Sequence, residues 1–434
     1  MNPLAEELNR TLLRESPDVH ALLSARGRAL YFPKGILSQT AEAREKAHRF
    51  NATIGEATEG DRPMALPSIL SHLTDLAAAD IVRYAPAAGK PELRRAWLEK
   101  LRAENPSLRE RSLGLPIVTS AITHGLSLVG DLFVEPGDRI VIPDKLWGNY
   151  RLTFEVRLGA HLMTFPAYDD AGRFNVEGLR AALTAGPEKL ILLLNFPNNP
   201  TGYMPGRAEV DGIRAAVLEA AEAGHRVLTV VDDAYFGLVY DDHGLRESPF
   251  GVLANLHPRV LGIKLDGATK ELFVWGLRCG FLTYAPPPVT RPEVILTALE
   301  RKTMGAIRGA VSNSPNLSQS LVLAALRSAS LDEERRQKYE ILRARAARVR
   351  EIVYRERYRE SWSVYPFNAG YFMCIRVRGV EAEALRQHLL SRYGVGVISI
   401  GSSDIRIAFS CLEEAEVEPL FECIHTAIGE LRES

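Results

Sequence analysis

Two unbroken apolar runs, Leu190–Asn195 and Val227–Asp232, flank an alanine-rich stretch from Arg207 to Ala223. A strand with one wet face alternates apolar and polar residues. A run without alternation suits a strand buried on both faces. With a helix-like segment between them, the two runs read as a βαβ unit, which calls for a parallel sheet covered by helices. Ile140-Val141-Ile142-Pro143 is a third run of this kind. Pro91-Glu92-Leu93-Arg94-Arg95-Ala96-Trp97-Leu98 opens a helix, with proline in the first turn and apolar residues at helical spacing. No internal repeat or low-complexity tract points to a solenoid. The chain reads as α/β.

A length of 434 residues exceeds the usual size of one core, so two domains are expected. The texture changes after about Ser314. Leu331 to Arg357 reads as a mostly exposed helix rich in Arg, Glu and Ala. Tyr371–Val377 then reads as a strand, Glu381–Tyr393 as a helix and Ile405–Phe409 as a strand. The expected division is a large domain over 66–330, with a mostly parallel sheet flanked by helices. A smaller α+β domain would be built from 1–65 and 331–434.

A formal net charge of −1 leaves no basic excess of the kind that binds nucleic acid or anionic membrane. The acidic N-terminus, Met1-Asn2-Pro3-Leu4-Ala5-Glu6-Glu7, does not read as a signal peptide. No stretch approaches the roughly 20 apolar residues of a membrane span. Cys279, Cys374, Cys411 and Cys423 form no CxxC pair and sit among apolar residues, which reads as buried free thiols. The expectation is a cytoplasmic protein without a metal site.

Lys270 gathers the chemistry. It ends Asp266-Gly267-Ala268-Thr269-Lys270, after the apolar strand Val260-Leu261-Gly262-Ile263, and Arg278 follows. A lysine that carries a carbonyl cofactor needs a carboxylate for a ring nitrogen, donors for a phenolic oxygen and cations for a phosphate and a substrate carboxylate. Asp232 ends an apolar strand where ligands bind in open α/β sheets. Tyr235 stands three residues beyond it, and Asn199 precedes Pro200-Thr201-Gly202, a turn that aims the amide inward. Arg406 is a further cation. Val118-Thr119-Ser120-Ala121-Ile122-Thr123 reads as strand, turn and helix start, whose free N–H groups and Thr123 hydroxyl can cradle a phosphate. Trp147 is suited to lie on a ring face. Taken singly, each residue has a bland reading. Asp232 alone is a helix cap or turn aspartate, Tyr235 and Trp147 are packing, Asn199 is a turn, and Lys270 and Arg278 are surface charges. Asp233 is assigned a capping or turn role, Asn198 a turn and His124 a structural one.

Together, these segments resemble the fold-type-I pyridoxal-phosphate aminotransferases of class I/II, from about Phe50 to Phe409. Phe196-Pro197-Asn198-Asn199-Pro200-Thr201-Gly202 matches the family's asparagine turn, and Asp232-Asp233-Ala234-Tyr235 its D-x-A-Y segment. Thr269-Lys270 with Arg278 matches the lysine and phosphate-arginine segment, and Arg406 the α-carboxylate arginine. Trp147-Gly148-Asn149 and Ala306-Ile307-Arg308-Gly309-Ala310-Val311-Ser312-Asn313 resemble the aspartate and aromatic branch. The resemblance implies pyridoxal 5'-phosphate on Lys270, with Asp232 and Tyr235 catalytic. It implies a cofactor site of Ala121, Ile122, Thr123, Trp147, Asn199, Thr269, Arg278 and Tyr84, the last reaching a partner's phosphate. Gly55, Trp147, Asn199, Arg308 and Arg406 would meet substrate, Arg308 across a homodimer interface. The implied reaction is ping-pong transfer of an amino group between an amino acid, dicarboxylic or aromatic, and a 2-oxo acid. β-Lyase, decarboxylase or racemase chemistry on the same scaffold, or a non-catalytic regulator, are the alternatives. Two departures stand out. Gly267 replaces a frequent serine, and Ala121-Ile122 replaces a glycine-rich turn.

Overall fold

The structure, a computed structural model, describes residues 1–31, 36–60 and 62–433. Its centre is a seven-stranded sheet of β1 (Ile117–Ser120), β2 (Arg139–Pro143), β3 (His161–Phe165), β4 (Lys189–Asn195), β5 (Arg226–Asp232), β6 (Val260–Gly267) and β7 (Cys279–Ala285). The spatial order is β1-β7-β6-β5-β4-β2-β3. The neighbours from β6 to β3 run parallel, and β7 runs antiparallel to both β1 and β6.

The unbroken apolar runs are explained by where alternate residues go. In β4, Leu190, Leu192 and Leu194 enter one core, whereas Ile191 and Leu193 enter the core on the other face. In β5, Val227 and Val231 face the first core, and Leu228 and Val230 the second. Leu179 and Leu183 of helix Val176–Thr184 and Ile213 and Val217 of helix Arg207–Glu222 cover the first face. Leu126 and Val129 of helix Ala121–Phe133 and Ile307 of helix Pro292–Ala310 cover the second. Each fully buried leucine contributes about 1.5–3 kcal/mol.

A second sheet, in the order β8-β9-β11-β10, is antiparallel throughout. Its strands are β8 (Trp362–Val364), β9 (Phe372–Val377), β10 (Ile398–Ile400) and β11 (Asp404–Ala408). Helices Leu331–Val353, Ala382–His388 and Glu414–Glu433 cover it through Val349, Ile352, Leu385, Leu420 and Ile424. The segment before Pro67 joins this unit: Phe50 pairs with Val395, and Ala408 donates its N–H to the Ala52 carbonyl at 2.9 Å. A third core holds Leu66, Trp97, Phe281, Leu342, Phe372 and Ala408, and so ties the two sheets together.

Three expectations require correction. The helix at Leu331 ends at Val353 rather than Arg357, and one face of it is buried. Its charged composition hides a stripe of Leu342, Ala346, Val349 and Val353 at helical spacing. Arg345, only 1% exposed, donates to the Thr58 and Ser410 carbonyls and to Glu413. Glu381–Tyr393 is two elements, an α-helix over Ala382–His388 and a π-turn over Leu389–Tyr393. Between β1 and its helix there is no separate turn. The helix starts at Ala121, which takes a left-handed φ of 64°.

Candidate active site

A cavity of about 310 Å³ opens at the carboxyl ends of the parallel strands. This is where side chains leaving adjacent strands converge on a ligand. Ala121, Ile122 and Thr123 reach it from the end of β1, and Trp147 from the loop after β2. Asn199 follows β4, Asp232 and Tyr235 stand at and beyond the end of β5, and Thr269 and Lys270 follow β6. Arg278 precedes β7, while Gly55 and Arg406 come from the smaller sheet's side. Twelve residues singled out in the sequence therefore line one cavity. Tyr84 and Arg308 do not. Tyr84 is 90% exposed, and Arg308, in the last turn of its helix, donates to Ser312 at 2.6 Å.

Asp232 is 2% exposed. Its Oδ2 accepts from the Tyr150 hydroxyl at 2.6 Å and its Oδ1 from the Ala234 N–H at 3.1 Å. Burial pushes its carboxyl up to about 6, against the pull of those hydrogen bonds. Lys270 is shifted the other way. Enclosure, aided by the positive field of Arg278, brings its amine down to about 8. Its Nζ lies 5.6 Å from the Tyr235 ring centroid. An amine with lowered proton affinity beside a buried carboxylate is suited to serve as nucleophile and base.

Arg406 is 1% exposed, its guanidinium 4.0 Å from the Phe372 ring centroid. Nη1 donates to Asn199 Oδ1 at 3.1 Å and Nη2 to the Thr53 carbonyl at 2.8 Å, while Nε is buried without a partner. The Thr269 hydroxyl is likewise buried and unpartnered. Around it stand Arg278, itself left-handed at φ 51°, and the first turn of helix Ala121–Phe133, whose N–H groups the helix leaves free. Strained backbone at Ala121 and Arg278 is of the kind that concentrates at ligand clamps.

The departure at Gly267 has a steric reason. A Cβ there would lie 2.8 Å from the Cys279 carbonyl oxygen and 2.8 Å from Gly280 Cα, because β6 and β7 pinch together. Gly280 in turn presses on the start of helix Ala121–Phe133: a Cβ would meet Ala121 Cα at 2.9 Å and the Ile122 nitrogen at 3.0 Å.

Asp233 is not a cap. It faces away from the cavity and forms a buried ion pair with Lys264 at 2.7 Å, and Lys264 also reaches Asp266 at 2.8 Å. Ser248 donates to Asp233 and the Trp97 indole to Asp266. Adjacent residues at a strand end point to opposite sides, so one aspartate enters the cavity and its neighbour does not. Asn198 is the turn expected of it, its Oδ1 accepting from Thr201 N–H at 3.0 Å and Oγ1 at 2.7 Å. His124 is structural, its Nδ1 accepting from the Ser120 N–H at 3.1 Å.

Sequence reading missed Tyr150, Asn195, Ala234 and Phe372, all of which line the cavity. Asn195 braces two neighbours: it donates to the Asp232 carbonyl at 3.0 Å and accepts from the Asn199 N–H at 2.8 Å. A polar residue closing an apolar strand was its signal, the same signal that marks Asp232. Nothing local marks Phe372.

A buried lysine, a buried carboxylate, a cation-flanked helix start and a buried guanidinium around one cavity suit an enzyme that works through a carbonyl cofactor. The sequence pattern of the aminotransferase class I and II family matches residues 50–424, and the chain belongs to that family. It is an aminotransferase dependent on pyridoxal phosphate.

Among curated relatives, an aspartate/prephenate aminotransferase of Cereibacter sphaeroides is 28% identical over 68% of this chain and 68% of its own length. A probable aspartate/prephenate aminotransferase of Thermus aquaticus is 31% identical, over 46% of this chain and 48% of its own length. Among solved structures, an aminotransferase from Anaerococcus prevotii superposes with a TM-score of 0.82 at 22% identity, covering 94% of this chain and 99% of its own. A kynurenine aminotransferase of Pyrococcus horikoshii, solved with PMP, gives 0.78 at 18%, covering 95% and 98%. These folds are of the fold-type-I kind.

Proposed function

We propose that the chain catalyses ping-pong transfer of an amino group between an L-amino acid and a 2-oxo acid, with Lys270 as the covalent anchor and proton carrier. The observation that carries this reading is one cavity shared by Lys270, Asp232, Arg278 and Arg406. Pyridoxal phosphate supplies a carbonyl carbon that takes the amino group and a ring that draws off the electron pair released at the substrate's α-carbon. Asp232 keeps the ring nitrogen protonated, and the Tyr150 hydrogen bond holds that carboxylate in place. Trp147 would pack against the cofactor, and Asn199 and Tyr235 would offer it hydrogen-bond donors. Arg278, Thr269 and the helix start at Ala121, Ile122 and Thr123 hold the phosphate. Arg406 grips the substrate α-carboxylate beside Gly55. The Lys270 amine would carry a proton away from the substrate's α-carbon, a task suited to its lowered proton affinity.

The substrate class proposed is dicarboxylic or aromatic, supported by the aspartate/prephenate names of the relatives. Tyr84 and Arg308, outside the cavity of the single chain, would serve a neighbour's site in a cytoplasmic homodimer. Among the described residues, no helix is long and apolar enough to cross a membrane. The division into 66–330 and 1–65 with 331–434 is supported by the separate cores of the two sheets.

Borohydride reduction and peptide mapping test the anchor. The label is expected on Lys270, and a label on Lys264 or Lys302 overturns the assignment. A panel of amino acids scanned for loss of the lysine-bound cofactor's absorbance identifies the substrate. Stoichiometric recovery of the aminated cofactor separates transamination from lyase, decarboxylase or racemase chemistry.

A further inference from the structure

Lys145 and Asp404 do not line the cavity, yet they flank it from both sheets. Lys145 follows β2 and stands two residues before Trp147, while Asp404 opens β11 two residues before Arg406. Residues two apart on a strand share a face. In β11, Ile405 and Ile407 enter the core of the smaller sheet, so Asp404 and Arg406 share the opposite face.

Lys145 Nζ donates to Asp404 Oδ2 at 2.8 Å, with the two side chains 16% and 8% exposed. The ammonium also lies 4.7 Å from the Tyr365 ring centroid, and the Tyr365 hydroxyl donates to Asp404 Oδ1 at 3.1 Å. Burial works against the Lys145 charge, but hydrogen bonding to Asp404 and Tyr365 outweighs it and raises the amine's proton affinity.

The carbonyl of Lys145 meanwhile accepts from Asn198 Nδ2 at 2.9 Å, and Asn199 accepts from Arg406 at 3.1 Å. A closed ring results. It runs from Lys145 to Asp404, along β11 to Arg406, across to Asn199, through Asn198 and back to Lys145. Without the ion pair, Asn199 is the one polar side-chain tie that the described structure gives Arg406 to the loops of the large sheet.

We propose that Lys145 and Asp404 are positioning residues for Arg406, their ion pair holding its strand against the loops of Trp147 and Asn199 and so setting the grip on the substrate carboxylate. The proposal rests on the reading of Arg406 given above. A guanidinium binds a carboxylate as a planar two-pronged fork, so a small rotation of its strand loses one prong while leaving the site otherwise assembled.

The test compares Lys145→Met, Asp404→Asn, their combination and Arg406→Ala in the holoenzyme. Readouts are KM and kcat, cofactor affinity, Tm, and calorimetric binding of a non-reacting carboxylate (succinate or 3-phenylpropionate, whichever the wild type binds). Each single variant is expected to raise KM for amino acid and 2-oxo acid about tenfold, with kcat within about twofold. Carboxylate binding should weaken in parallel, and cofactor affinity and Tm should hold. The double variant should be no worse than either single, as for one shared interaction, and Lys145→Arg should restore most of the grip. If Asp404→Asn lowers Tm, Lys145→Gln, at the more exposed end of the pair, carries the comparison. An unchanged KM in stable variants, or a loss of cofactor affinity equal to the loss of carboxylate binding, overturns the proposal. An Arg406→Ala variant with normal KM and carboxylate binding instead overturns the reading of Arg406 itself.

Discussion

Asp232 is held buried, where its charged form costs the fold stability. Its carboxyl is raised from an ordinary 3.8 to about 6 by burial, so the folded chain binds that proton more tightly than the unfolded one. The group is therefore neutral and harmless below about pH 4. It becomes progressively destabilising as pH rises to about 6, and carries its full cost above that. Asp232→Asn should stabilise the cofactor-free protein at pH 7–8 by up to roughly 3 kcal/mol, with the advantage shrinking toward pH 4. Thermal melts across pH check this, and an equal advantage at every pH would refute it. In the loaded enzyme the same change should cost turnover at least about a hundredfold, because the ring loses its anionic partner as charge develops. Tyr150 acts on the same atom. Tyr150→Phe removes a buried hydrogen bond to a carboxylate, a loss of about 1.5–3 kcal/mol. Turnover should fall by roughly ten- to a hundredfold with the cofactor still covalently held, as single-turnover rates would show.

Among the elements, the join between β1 and its helix is the place where local sequence and fold conflict. Ala121 occupies a left-handed conformation normally left to glycine, and Gly280 on β7 lies against it. Gly280→Ala would bring a methyl to 2.8–3.0 Å from the backbone of Ala121 and Ile122, so the helix start must shift. The expected result is weaker phosphate-mediated cofactor binding, by about tenfold, in a protein whose circular dichroism is unchanged. Equilibrium dialysis of cofactor against the apoprotein measures it. Ala121→Gly should have the opposite effect on the fold, relieving about 1 kcal/mol of strain. In the long helix Leu331–Val353, the buried stripe was readable at helical spacing. Its masking by Arg and Glu shows how charged side chains can flank a packed face.

At the scale of the whole molecule, Arg308 and Tyr84 lie outside the cavity of the single chain, so the proposed roles for them require a second copy. Assayed with a dicarboxylic substrate, a mixture of Lys270→Ala and Arg308→Ala subunits should recover activity through one intact site per heterodimer, and absence of recovery after verified exchange would rule out shared sites. With Arg308→Ala alone, kcat/KM for a dicarboxylic substrate should drop by roughly two orders of magnitude while an aromatic substrate is spared. Equal losses would make Arg308 an interface residue.

The sheet and most of the cavity were legible in the sequence because they rest on local signals. Unbroken apolar runs mark strands buried twice, and polar residues at their ends mark the edge where a ligand sits. Asp232 stands at such an end, whereas Asn199 and Lys270 lie a few residues past theirs and were picked out by the company of the other motifs. What the chain order could not reveal were contacts between residues far apart in sequence. The side to which Asp233 turns depends on Lys264 and Ser248 waiting behind the sheet. Tyr150 is bound to Asp232 only because the fold brings the segment after β2 across to the end of β5, 82 residues on in the chain, and Gly267 is demanded by a carbonyl on the neighbouring strand. Period and propensity act over a few residues, whereas burial, ion pairing and close backbone approach are decided by what the fold brings opposite.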